Sequence, residues 1–286
     1  MTGRTKITLC VVTRDRAETL ARCLLPGLRD LLAEGFPIVV VDQSSGSETA
    51  GLVGDLPGAT YLRSEPGLSR GRNVAIGSTK TPLLAFTDDD VSLPQRWLGT
   101  IAALFDQTED AGAVCGRAST PEGELLPGKS AGIYRWPASP FGLGSGFNLA
   151  FRREALDAAG PFDEELGAGA RYRAAEDTDM LYRILRAGWS VVCSDTISVV
   201  HHDTRTGGDE RKLHHGYGLG AGAQTAKHLS AGDSAALRIA LREIAAHLAW
   251  FARSILTLRL RPARLQIAFA AGLLAGFRER RRAQRL

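Results

Sequence analysis

The chain has 286 residues, 44% hydrophobic and 23% charged, an ordinary soluble composition and enough length for one large α/β domain with an appendage. Its net charge of +4 is uneven, because residues 253–286 hold nine Arg against a single acid, Glu279, a net of +8 that leaves −4 for the rest. A mildly acidic body argues against a protein that coats nucleic acid, and no apolar run has the length of a membrane span or the form of a signal peptide.

Four cysteines, Cys10, Cys23, Cys115 and Cys193, are far apart in the chain, and no pair has metal-ligand or redox spacing. Cys10 and Cys193 sit inside apolar runs and are expected to be reduced core residues, as in a cytoplasmic protein.

Ile7–Val12 predicts a first buried strand, ending in Thr13-Arg14-Asp15-Arg16. Ala17, Leu20, Leu24, Leu25 and Leu28 recur at helical spacing, and 36–41 predicts a second strand that ends in Asp42. Strand, helix and strand imply a parallel βαβ unit with Thr13 and Asp42 side by side at the sheet's C-terminal edge. There Asp42 can accept from a nucleoside, or it can be a helix cap or turn residue. Thr60–Arg63 predicts a further strand. The helix starting near Gly67 carries Arg70, Arg72 and Asn73, and backbone N–H groups beside Arg suit a diphosphate, although a solvated surface loop has the same composition.

Leu83–Thr87 predicts a buried strand that delivers Asp88, Asp89 and Asp90 to its tip. Three adjacent carboxylates repel one another, and a hard divalent cation, Mg2+ or Mn2+, would turn that repulsion into binding. An acidic turn in solvent is the alternative. A helix through Trp97, Ile101 and Phe105 and a strand at 113–116 follow. Residues 119–143 are rich in Gly, Pro and Ser and carry Tyr134, Trp136 and Phe141, so a binding loop is expected, with aromatic faces such as Trp136 against a sugar or acceptor.

Gly144–Phe151 predicts a tight turn entering a strand, and 152–159 a short helix. A helix begins near Glu176, with Asp177 and Asp179 in its first turn, where the helix dipole also favours acids. Two strands are expected at 189–193 and 197–200, the second ending in His201-His202-Asp203. From Ser234 an apolar stripe at helical spacing (Leu237, Leu241, Ile244, Leu248, Phe251, Ile255) predicts an amphipathic helix, followed by an apolar stretch at 267–277 and the run Arg278-Glu279-Arg280-Arg281-Arg282. This tail suits the surface of an anionic membrane leaflet, or a helical pair packed on the protein. The expected organisation is a catalytic domain over 1–230 and a helical basic extension over 231–286.

The order of motifs over residues 7–203 resembles the family 2 glycosyltransferases. It rests on Arg72-Asn73, Asp88-Asp89-Asp90, Asn148 with Ala150-Phe151-Arg152-Arg153, Phe162-Asp163-Glu164, Glu176-Asp177, Arg183 with Gly188, and His201-His202. Val12, Asp15 and Gln43-Ser44-Ser45 depart from the family's usual residues near the nucleotide.

The resemblance implies an α/β GT-A-type fold with a mostly parallel, Rossmann-like sheet and flanking helices. It implies an inverting, metal-dependent hexosyltransferase that uses a nucleotide-sugar donor, with a UDP-sugar the expected one. The acceptor would be a glycan, a lipid-linked or a small-molecule hydroxyl, in bacterial cell-surface polysaccharide, glycolipid or glycoconjugate synthesis. In that scheme Asp177 is the general base with Glu176 beside it. Thr13, Arg14, Asp42, Arg72, Asn73, Asp88 and Asp89 hold the donor. Gly146, Asn148 and Trp136 shape the acceptor side, and Asp90, Asp88, His201 and His202 hold Mn2+ or Mg2+. The expected location is cytoplasmic, peripheral to the inner face of a membrane if the tail binds it, and an oligomer is compatible with all of this. The rival readings are a nucleotidyltransferase of related sheet topology, which would carry a Gly-rich, Lys-bearing phosphate loop after the first strand, and a membrane-attached carbohydrate-binding scaffold, which has no need of Asp88, Asp90 and Asp177 together.

Overall fold

The computed structural model describes residues 6–202, 210–258 and 260–284, so Asp203 lies outside the described residues. The first half runs β1 (Ile7–Thr13), α1 (Ala17–Cys23), α2 (Leu25–Ala33), β2 (Ile38–Asp42), α3 (Glu48–Gly54), β3 (Ala59–Arg63), α4 (Leu68–Ser78), β4 (Leu83–Thr87), β5 (Val91–Ser92) and α5 (Trp97–Gln107). It continues with β6 (Ala111–Ser119), β7 (Gly132–Tyr134), β8 (Leu149–Arg152), α6 (Arg153–Ala159), α7 (Glu176–Arg186) and β9 (Ser190–His201). Three long helices follow: α8 (Glu210–Ser230), α9 (Ser234–Leu256) and α10 (Leu260–Ala283).

The strand order is β3-β2-β1-β4-β8-β6-β9-β5, with β7 on β9. Strands β3, β2, β1 and β4 are parallel, β8 runs antiparallel between β4 and β6, and β6 pairs parallel with β9. Every residue of β1, β2 and β4 is buried, because helices cover both faces. Side chains alternate between the faces along each strand. Leu9, Val11 and Val40 therefore pack with Leu20, Leu28 and Trp97 on one side, while Cys10, Val12 and Val41 pack with Ala75, Met180 and Ile184 on the other.

Three local expectations change. The predicted first helix is two, because Pro26 sits in the first turn of α2 and the chain turns at Leu24. The predicted strands at 189–193 and 197–200 are one continuous strand, whose register on β6 slips between Gly116 and Ala118. The irregular stretch at 119–143 contains β7, antiparallel to β9. In addition, Cys115 and Cys193, 78 residues apart in sequence, face each other across β6 and β9 with their Sγ atoms 2.9 Å apart, both thiols free.

Two compact units are present. The first holds the sheet with α1–α6 and most of α7; the second joins residues 163–176 to the helices from Glu210 onward. In the second unit, Asp163 pairs with Lys227 at 3.0 Å and with Arg280 at 3.1 Å, tying that short segment to α8 and α10.

Candidate active site

The strand order reverses between β1 and β4, and in open α/β sheets the crevice at such a point, beyond the carboxyl ends of the strands, is where ligands bind. Thr13 ends β1 and the three aspartates follow β4. Across that crevice the Thr13 hydroxyl donates to Asp89 Oδ2 at 2.6 Å. Arg16, just beyond β1, reaches both acids, with Nη1 3.0 Å from Asp89 Oδ1 and Nη2 2.8 Å from Asp90 Oδ2. Register places Val91 opposite His201, which brings His201 Nε2 to 3.4 Å from Asp90 Oδ1, and the imidazole stacks on Phe147 with centroids 4.4 Å apart.

The two acids respond differently. Burial pushes Asp89 up to about 6, against the Thr13 hydrogen bond and Arg16. Burial also pushes Asp90 up, but the contacts with His201 and Arg16 outweigh it and hold its carboxyl well below the usual carboxylate range. Asp90 Oδ1 is buried and has no hydrogen-bond partner. A buried anionic oxygen in that state, beside an imidazole nitrogen, fits a cation ligand.

Among the described residues no three His, Cys, Asp or Glu side chains converge on one point. Of the expected set of Asp88, Asp90, His201 and His202, the structure brings Asp90 and His201 together. His202 is turned away: its Nε2 lies 2.8 Å from Ser92 Oγ and its backbone N–H donates to the Asp90 carbonyl. Asp88 is half-buried at the turn. Two protein ligands still suit a hard cation that takes its remaining oxygens from a diphosphate and water.

Around this centre the other expected residues divide. Asp42 is fully buried, and its two oxygens accept from the Ser44 N–H at 2.8 Å and the Tyr61 hydroxyl at 2.7 Å. It organises the loop after β2 rather than presenting a free oxygen. Arg14 is exposed and pairs with Asp15 at 3.4 Å, apart from the acid cluster. Both ends of the Asn73 amide clamp the backbone of Phe162, at 3.0 and 2.8 Å, so Asn73 fixes α4 instead of facing a donor.

Arg72 is 2% exposed, with its guanidinium over the rings of Phe86 and Phe162. Gly146 lies directly against that guanidinium, where any Cβ would overlap it. The Gly146 N–H donates to Asp177 Oδ2 at 3.1 Å, while Asp177 Oδ1 accepts from the Thr178 N–H at 2.7 Å. Asp177 is thus held at the start of α7 by a turn that Arg72 supports from below. Glu176, the residue before it, is buried and belongs to the second unit.

Asn148 does not face an acceptor. It is fully buried, its Oδ1 accepts from Trp97 Nε1 at 3.1 Å, and its Nδ2 donates to the carbonyls of Arg117 and Ile197 at 2.8 and 2.7 Å. Both amide protons and the oxygen are engaged in holding the turn to α5, β6 and β9. Trp136 packs edge-on against Tyr182 and under Arg186, on the flank of α7 beyond Asp177. Two further residues shape this edge, Arg16 and Gln43, the second noted above only as a departure from the family's usual residues. Arg16 stood inside a charged stretch with no pattern to single it out. Gln43 donates to Ser64, Glu65 and Gly67 and accepts from the Gly67 N–H, locking the approach to α4.

Comparison with known proteins agrees with this architecture. A family model described as glycosyl transferase family 2 matches residues 8–159. A pre-mycofactocin glycosyltransferase of Mycobacterium tuberculosis (strain H37Rv) is 28% identical over 216 residues, spanning 70% of this chain and 43% of its own. An uncharacterised protein of Sinorhizobium fredii is 24% identical over 240 residues, 73% of this chain and 26% of its own. The chain thus spans less than half the length of the curated relatives it matches. Among solved structures, the mannosyltransferase PcManGT of Pyrobaculum calidifontis, in complex with GDP-Man and Mn2+, aligns with a TM-score of 0.67 at 18% identity over 97% of this chain and 88% of its own. TarS of S. aureus aligns with a TM-score of 0.57 at 18% identity over 78% of this chain and 43% of its own. At these identities the structural likeness speaks for the fold.

Proposed function

Because the chain belongs to glycosyl transferase family 2, we propose that it transfers a sugar from a nucleotide-diphosphate donor to an acceptor hydroxyl, with inversion in a single displacement. The observation that carries this reading is the convergence of Thr13, Arg16, Asp89, Asp90 and His201 at the point where the strand order reverses. Asp90 and His201 would hold Mn2+ or Mg2+, which when bound supplies Lewis-acid stabilisation of charge on the diphosphate oxygens. The association of PcManGT with GDP-Man and Mn2+ supports a nucleotide sugar and a divalent ion here.

The protein's own residues do the rest. Arg16 offers positive charge at the diphosphate once an ion shares the two acids. Asp177, held through Oδ2 by the Gly146 N–H, takes the proton from the acceptor hydroxyl as the new bond forms. Glycan, lipid-linked and small-molecule acceptors, and a role in cell-surface polysaccharide or glycoconjugate synthesis, remain within this reading.

The test is release of nucleoside diphosphate from a panel of UDP- and GDP-sugars, with Mn2+ and after chelation. Metal-stimulated release with at least one donor is expected. Release that chelation leaves unchanged would contradict the ion site, and failure of every donor to bind would contradict the donor class.

Among the described residues no helix is long and apolar enough to cross a membrane. Leu248, Trp250, Ile255, Leu256 and Leu258 are nevertheless exposed at the end of α9. With the basic tail they support contact with an anionic leaflet. Vesicle binding that Leu256→Glu combined with Leu258→Glu leaves intact would sink that reading.

A further inference from the structure

The helical unit contains a charged cavity, and its construction starts from glycines. Gly218 and Gly222 of α8 lie against the backbone of Phe269 and Leu273, and Gly272 and Gly276 of α10 lie against that of His215 and Leu219. At each of these positions a Cβ would overlap the facing backbone. The pairs advance together along the chain, so the two helices run parallel and touch main chain to main chain. This small-residue packing fixes the separation of the side chains that precede the glycines.

Those side chains are basic. Arg211, Lys212 and His215 of α8 and Arg264 of α10 line a cavity of about 520 Å3, within the usual range of small-ligand sites. Arg173 closes it from the segment that packs on these helices. Ile267, Ala268 and Ala271 supply its apolar lining, and no carboxylate is among the described lining residues. The neighbouring acid, Glu210, is engaged by Arg261 through two oxygens.

Arg173 is held in place at a cost. Its backbone lies in the left-handed region, φ 62°, as does that of Ala175, φ 74°. Non-glycine residues adopt such conformations only where the surroundings enforce them. Here the anchor is Tyr172, fully buried, whose ring carries the guanidiniums of Arg171 and Arg280 at 5.3 and 5.5 Å, while its N–H donates to the Glu165 carbonyl.

We propose that this cavity binds a phosphate ester, the phosphate among Arg173, Lys212 and Arg264 and its aliphatic part along Ile267, Ala268 and Ala271. Guanidinium and ammonium groups lining one cavity, with no carboxylate among its described lining residues, suit a compact polyanion, and its apolar lining suits an alkyl chain. The proposal stands independently of the sugar-transfer reading, since it uses none of the residues assigned to that site. The phosphate could arrive on a soluble ester or as a lipid headgroup, and two probes separate them.

The experiment titrates the full chain with octyl phosphate by calorimetry, and in parallel floats it with vesicles of phosphatidylcholine with or without phosphatidylglycerol. Lys212→Glu combined with Arg264→Glu should weaken octyl phosphate binding on the order of 10²-fold, and the Gln pair should weaken it less. Arg16→Ala, at the other site, should leave it unchanged. Loss of both octyl phosphate and phosphatidylglycerol-dependent flotation in the Glu pair would assign a lipid headgroup; loss of octyl phosphate alone would assign a soluble ester. The proposal is overturned if the parent binds neither probe, if the Glu pair binds both as the parent does, or if only Arg16→Ala abolishes binding. Circular dichroism melts of each variant guard against unfolding, and if the Glu pair unfolds, the Gln pair decides by the same criteria.

Discussion

Asn148 offers the sharpest test of how the active-site turn is held. Asn148→Ala removes an amide that is fully buried and makes three hydrogen bonds, to Trp97, Arg117 and Ile197. At about 1 kcal/mol net for each bond, the direct loss is about 3 kcal/mol. The Trp97 indole N–H is left in the core without its acceptor, which adds roughly 1–3 kcal/mol. The total of about 4–6 kcal/mol corresponds to a fall in melting temperature of about 10–20 °C for a unit of this size. Urea denaturation followed by Trp fluorescence measures it. A loss below about 1 kcal/mol would refute the positioning role. Parental stability combined with a raised acceptor KM would restore Asn148 to the acceptor side, where the sequence motif had put it.

Three further outcomes are expected. Gly146→Ala should drive a methyl group into the Arg72 guanidinium and displace the N–H that holds Asp177, lowering transfer on the order of 10²-fold while donor affinity, measured by calorimetry, changes little; parental turnover would contradict the arrangement. Arg16→Ala should destabilise by about 1–3 kcal/mol, less than for a fully buried pair because Arg16 is 34% exposed, and Mn2+ should raise the melting temperature of the variant more than that of the parent. An equal rise in both would show that the ion and the guanidinium do not share the acids. Diamide, a thiol oxidant, should join Cys115 to Cys193, leaving two of the four thiols alkylatable after unfolding, and the peptide map should lose that link in Cys193→Ser; four alkylatable thiols after treatment would show that the pair cannot close.

Much of the sheet was legible because its physics is local. The apolar runs at 7–12, 38–41 and 83–87 are too short for buried helices, the first two are also rich in β-branched residues, and each ends in a polar group where a parallel sheet presents its ligand edge. The roles at that edge were less legible. Asn73 and Asn148 sit inside motif positions but spend their amides on backbone groups far away in sequence, contacts that no local pattern encodes. Of the two histidines, spacing could not say which faces Asp90; pairing of β5 with β9 selects His201. Helix α8 was missed because Gly216, Gly218, Gly220 and Gly222 weaken helix propensity and erase any apolar stripe. Close approach to the backbone of α10 outweighs that local penalty, which is why the helical unit begins before the pattern change at Ser234.

In the proposed reaction Asp177 removes the acceptor proton while other residues hold the donor. Asp177→Asn keeps the size of the side chain and an oxygen that can accept from the Gly146 N–H, yet loses the basicity. Donor affinity by calorimetry and sugar transfer by product release should be measured on the same preparation, with Mn2+ present. Donor affinity should stay within about twofold of the parent while transfer falls on the order of 10²-fold or more. Transfer at the parental rate would contradict it, and so would loss of donor binding in step with transfer.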